Sequence, residues 1–181
     1  YSNGDLSKYD FPCFESIAFK FWCFGIKLPK NRRVYGRPKT LHNARIGGIA
    51  FLTSLSPTGG EEERQIIGFL HVKEVVDGPA PITEGKEQGD WEVLLGEPSK
   101  SLYLDPAARI PFWDVYKGDG SPAQTPWGRG YYSYLEPDLT SAILARLRDA
   151  CVAIDDGHAV SVIDVHLGAS GTMNGPGPAS K

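Results

Sequence analysis

Residues 64–76 read RQIIGFLHVKEVV, and this stretch decides the fold class. It is rich in β-branched and large apolar residues, so it predicts a long strand at the centre of a sheet. Gly68 within it marks a bulge or a close backbone approach. Upstream, residues 46–53 (IGGIAFLT) predict a second strand, with the same reading for Gly47 and Gly48. Residues 54–63 between them are polar and Gly-rich, as a hairpin connection would be. Further out, the aromatic-rich residues 14–24 (FESIAFKFWCF) predict a buried strand, and residues 91–95 (WEVLL) a shorter one.

Helical signals come later in the chain. Asp105 followed by Pro106 reads as an N-cap and first turn. Residues 137–154 carry Leu139, Ile143, Leu144, Leu147, Cys151 and Ile154 at helical spacing, one apolar stripe that would close one side of a sheet. Residues 158–167 (HAVSVIDVHL) predict a last strand, and the Gly/Pro/Ser/Ala-rich residues 168–181 a flexible tail or linker. The organisation expected is one domain over 1–167 and a tail over 168–181. Its fold class is α+β, with a curved, mostly antiparallel, barrel-like sheet and flanking helices.

Bulk composition agrees with a globular domain. The chain has 181 residues, 41% hydrophobic and 23% charged, enough to bury a core. No apolar run reaches membrane-spanning length, and no signal-peptide pattern opens the chain. It begins at Tyr1 and its one methionine is Met173, which points to a processed product or a piece of something longer. Cys13, Cys23 and Cys151 form neither a C-x-x-C pair nor an even set. They read as reduced thiols and a cytoplasmic location, with a Cys13–Cys23 disulfide in a secreted protein as the other reading.

Charge is unevenly distributed. The net charge is −3, yet residues 1–49 carry nine basic and three acidic side chains, +6, which leaves −9 for the remainder. Lys27, Lys30, Arg32, Arg33, Arg37 and Lys39 concentrate that excess and are candidate phosphate contacts, with Lys20 beside them. The other reading is charge that solvates the surface. Residues 111–134 (PFWDVYKGDGSPAQTPWGRGYYSY) hold seven aromatic rings among Gly and Pro, and predict irregular chain. Rings on such loops either plug a core or line a pocket for a flat ligand.

Catalytic patterns are weak. Asp90 and Glu92 with Glu97 and Lys100 miss nuclease spacing by one residue. His71 and Glu74 fall on opposite faces of a strand, and Asp164, His166 and His158 form at best a thin metal set. The chain has no P-loop, dinucleotide fingerprint or nucleophile elbow. No cofactor or metal and no catalytic activity of this chain are expected.

The order of GxIAFLT, RxIIGFxxVKEV and FWxxY…WGxGxxxYL before an amphipathic helix resembles the PUA superfamily, notably its EVE/YTH-like readers of modified bases. It is most similar to the DNA-reading domains fused to nucleases in bacterial modification-dependent restriction. The resemblance covers about residues 44–148, and implies a small curved barrel that holds one flipped base in an aromatic cage. The residues it points to are Trp22, Phe24, Trp113, Tyr116 and Trp127 for the cage, and Asp114 as an acceptor for a base amino group. Trp22 and Trp113 are equally well read as core, Trp127 as a plug and Asp114 as a cap. The implied partner is nucleic acid, DNA favoured over RNA, with a nuclease domain beyond the C-terminus. An RNA-binding domain of the same fold, an enzyme acting on a nucleotide or small aromatic compound, and a protein-interaction module are the other readings.

Overall fold

The computed structural model describes residues 14–27, 41, 44–55, 60–78, 91–116 and 135–170. Helix α1 (Phe14–Phe21) is followed by strands β1 (Cys23–Lys27), β2 (Ile49–Ser54), β3 (Gln65–Gly78), β4 (Trp91–Gly96), β5 (Leu102–Tyr103) and β6 (Ile110–Pro111). Helices α2 (Phe112–Tyr116), α3 (Pro137–Ala153) and α4 (Gly157–Ser170) complete the chain. The fold is α+β. The hydrogen-bonded strand path runs β1-β4-β3-β2, and β5 and β6 also pair with β3. The chain divides into two compact units, Tyr1–Ala50 with Phe69–Ser101, and Phe51–Gly68 with Leu102–Lys181.

In the first unit β4 is the middle strand. It pairs antiparallel with β1, from Cys23↔Leu95 to Lys27↔Trp91. It also pairs antiparallel with the second half of β3, from Val72↔Gly96 to Gly78↔Trp91, with a bulge between Val72 and Glu74. Cys23 and Val93, 1% and 0% exposed, anchor a cluster there with Val76 and Leu95. Residues 45–48 make a turn closed by Gly48 N–H on Arg45 O at 2.9 Å. Gly47 has φ +84°, the value the third position of a type II turn requires, and glycine adopts it without a Cβ clash. Gly47 N–H then bonds Val72 O at 2.7 Å, and Val72 N–H bonds Gly48 O at 2.8 Å.

In the second unit the first half of β3 is the organising strand. Gln65 and Ile66 pair antiparallel with Pro111 and Ile110. Leu104 N–H bonds Ile67 O at 3.0 Å and Phe112 N–H bonds Arg64 O at 2.8 Å. Asp105 accepts from Ala107 N–H at 2.8 Å and caps the 3₁₀ turn Pro106–Ala108. Helix α3 starts with Pro137 in its first turn and buries Ile143, Leu144, Leu147 and Cys151. It packs against α4, α2, β6 and the Pro106–Ala108 turn.

Several local expectations are corrected. Residues 14–21 are helix, not strand; the aromatic content favoured a strand, but the strand proper begins at Cys23. Residues 158–167 lie in α4. Ala159, Val162, Ile163 and His166 are buried at helical spacing, and packing on α3 overrides the β-branched composition. Residues 112–116, expected to be irregular, form α2, and α4 continues to Ser170 past the expected tail boundary. The second strand begins at Ile49 rather than residue 46, because the 45–48 turn precedes it.

Candidate nucleic-acid interface

Helix α1 ends where Trp22 adopts φ +49°, a left-handed backbone that bulky side chains avoid. That conformation costs about 1–2 kcal/mol for an L-residue. What holds it is a contact from far along the chain. Gly96 N–H donates to Trp22 O at 2.6 Å, and Cys23 enters the ladder opposite Leu95. A Cβ on Gly96 would lie 3.0 Å from Trp22 O and 3.1 Å from Ser101 Oγ, so glycine permits the close approach. Trp22 is half-buried, and Phe19 meets its ring edge-on at 5.9 Å. Phe24 is also half-buried, between the buried Cys23 and Gly25, on the other side of the pleat.

Strand β1 carries the chain to the basic run. Lys27 pairs with Trp91, and at the far end of the run Leu41 N–H donates to Glu92 Oε2 at 2.5 Å. Residues 27 and 41 are therefore pinned to consecutive positions of β4. Glu92 is 9% exposed and Leu41 3%, so this carboxylate serves as a buried backbone anchor. Lys30, Arg32, Arg33, Arg37 and Lys39 lie outside the described residues, as does Trp127.

Trp113, Asp114 and Tyr116 belong to the second unit, on α2. Trp113 is 1% exposed and is packed by its neighbours: Phe112 edge-on at 4.8 Å and Tyr116 edge-on at 5.8 Å. Phe112 stacks on Tyr116 at 4.9 Å. Asp114 is half-buried, and its carbonyl accepts from Arg146 Nη1 at 3.3 Å, which ties α2 to α3. The structure thus groups Trp22 with Phe24 in one unit, and Trp113, Asp114 and Tyr116 in the other.

The other titratable residues take structural positions. Asp164 on α4 binds Arg148 Nε at 2.6 Å on an exposed face, whereas His166, two residues on, is 6% exposed. They do not share a face, because the segment is helix rather than strand. Among the described residues no group of three or more His, Cys, Asp or Glu is placed to hold a metal ion. Cys23 and Cys151 are free and buried, and burial pushes both thiols up, Cys151 further so beside Asp156. Neither is an activated nucleophile. Among the described residues no helix is long and apolar enough to cross a membrane.

Sequence reasoning singled out Trp22 and Lys20 but missed Phe21, which is 51% exposed with Lys20 Nζ 5.2 Å over its ring. Read as a strand, the F-K-F-W run at 19–22 places Lys20 and Phe21 on opposite faces; the helix makes them neighbours. No family model matches the chain, and neither a curated protein nor a solved structure matches it.

Proposed function

We propose that this chain is a non-catalytic nucleic-acid-binding domain that reads a flipped, modified DNA base. In this reading its sheet curves into a PUA-like barrel, and it is the specificity part of a modification-dependent restriction endonuclease whose nuclease is a separate domain. The observation that carries the reading is the α1–β1 turn. A tryptophan is held there in a strained conformation and left half-buried, immediately before the strand that leads into the chain's basic run. Strain maintained by a specific distant hydrogen bond is characteristic of binding sites. A base can be read singly only after leaving the stack, and an aromatic face compensates the unstacking. The basic residues 27–39 supply phosphate contacts, which position a strand without reading its sequence. DNA is favoured over RNA through the motif resemblance alone.

The test is a panel of DNA and RNA oligonucleotides carrying different modified bases, titrated at two salt concentrations. One modified DNA oligonucleotide is expected to bind at least about tenfold tighter than its plain counterpart. Trp22→Gly keeps the left-handed turn without a Cβ while deleting the ring. It is expected to remove about 1–3 kcal/mol of that preference and to leave plain-duplex affinity nearly unchanged. Equal affinity for modified and plain oligonucleotides across the panel would sink the reading.

A further inference from the structure

The last turn of α1 exposes a ring that the proposed base-reading site does not use. Phe21 is 51% exposed, whereas one turn earlier Ala18 is 3% exposed and two residues later Cys23 is 1% exposed. The ring therefore stands in water on backbone anchored on both sides. That anchoring is specific, since Trp22 beside it is locked by the Gly96 bond. Lys20 Nζ lies 5.2 Å over one face of the Phe21 ring, within cation–π range. Lys20 also sits at the C-terminal end of the helix, where the dipole favours a cation. A planar apolar face with a cation beside it, in a segment of charge +6, is complementary to a flat ring linked to an anion. A nucleotide has that chemistry: the base offers the flat ring and the phosphate the charge.

We propose that Phe21 and Lys20 form an external stacking platform for a base flanking the one that is read. The flanking base lies on the open face of Phe21, and Lys20 neutralises the adjoining phosphate. This rests on the nucleic-acid reading but is separable from it, because a stacking face accepts every base and contributes equally to modified and plain strands.

The experiment is anisotropy titration of labelled single-stranded DNA, modified and plain, at two salt concentrations, with wild type, Phe21→Ala, Phe21→Trp and Lys20→Ala. Phe21→Ala is expected to weaken both oligonucleotides about tenfold and to leave their affinity ratio unchanged. Phe21→Trp is expected to restore or exceed wild-type affinity, and Lys20→Ala to lower the salt slope by about 1. An unaltered melting temperature for Phe21→Ala is the folding control. If Phe21→Ala and Phe21→Trp both bind as wild type while the modified-base preference persists, the platform is overturned and the reader stands. If wild type shows no such preference yet Phe21→Ala still weakens binding, the platform stands and the reader falls. If wild type binds neither strand at low salt, both fall. Loss of binding to phosphatidylserine vesicles in Phe21→Ala, with oligonucleotide affinity untouched, makes the patch a membrane contact and overturns the proposal.

Discussion

Trp113 and Trp22 are both tryptophans beside other aromatic rings, and the structure gives them opposite circumstances. Among the described residues Trp113 heads the largest fully buried side chains, at 1% exposed, with Phe112 and Tyr116 of its own helix against it. Removing it leaves a cavity that the surrounding structure refills only in part. Trp113→Ala is therefore expected to lower unfolding free energy by about 3–5 kcal/mol in urea titration. A loss below about 1 kcal/mol would show that the ring is not a core element and would return it to the list of cage residues. Residue type alone could not separate the two tryptophans. The helix that carries Trp113 packs on α3, whose Arg146 reaches the Asp114 carbonyl, and the left-handed turn at Trp22 is held by Gly96. Both determinants lie far along the chain. What residue types do offer is a set of candidates, aromatic residues followed by a basic run.

At the scale of elements, the α3–α4 hairpin turns on two aspartates with opposite effects. Asp155 has φ +60° and follows the helix cap Ile154. Asp155 N–H bonds Val152 O at 3.1 Å and Asp156 N–H bonds Cys151 O at 3.0 Å, the paired bonds of a Schellman ending. Glycine is the residue that position favours. Asp156 then caps α4, its Oδ1 accepting from Ala159 N–H at 2.9 Å. Asp155→Gly is expected to raise the unfolding free energy by about 0.5–1 kcal/mol, read as a higher urea midpoint at constant m-value, through relief of the left-handed Cβ. Asp156→Ala is expected to lower it by about 1 kcal/mol. The same sign for both would refute this account of the turn. Elements with one consistent local signal were legible: β3, β4, the Asp105–Pro106 turn and α3 with Pro137 and its apolar stripe. Helix α4 was not, because Val160, Val162, Ile163 and Val165 favour a strand locally. Its helical stripe gains its meaning only from α3, and Asp155-Asp156 before Gly157 was the stop-and-start signal that composition masked. Helix α1 was hidden likewise by its phenylalanines.

For the whole molecule, the two-unit division could not be read from composition, because it does not fall at linkers. Its boundaries at Ala50/Phe51 and Gly68/Phe69 lie inside β2 and β3, and the one at Ser101/Leu102 abuts β5. Strand β3 is one unbroken element that gives Ile66 and Ile67 to one unit and Phe69, Leu70 and Val72 to the other, all 0–2% exposed. A unit that opened alone would take the ladder partners from half of a strand whose other half stays buried. The two units are therefore expected to open in one cooperative transition rather than as independent foldons. Two thiols make this measurable, since Cys23 lies in the first unit and Cys151 in the second, 1% and 0% exposed. Both thiols are shut away from solvent, so alkylation of either requires opening to water, and burial also holds both above the ordinary thiol pKa. With iodoacetamide at fixed pH across sub-denaturing urea, mass spectrometry of the two peptides is expected to give labelling rates that rise together with one common slope. Agreement within about threefold corresponds to opening free energies equal to about 0.7 kcal/mol. A Cys151 that labels more than about tenfold faster than Cys23 at the same urea concentration would mean that the helical unit opens by itself, about 1.4 kcal/mol more readily. In that case β3 joins the units covalently without coupling them, and the binding proposed for the Trp22 turn should survive urea concentrations that have already exposed Cys151.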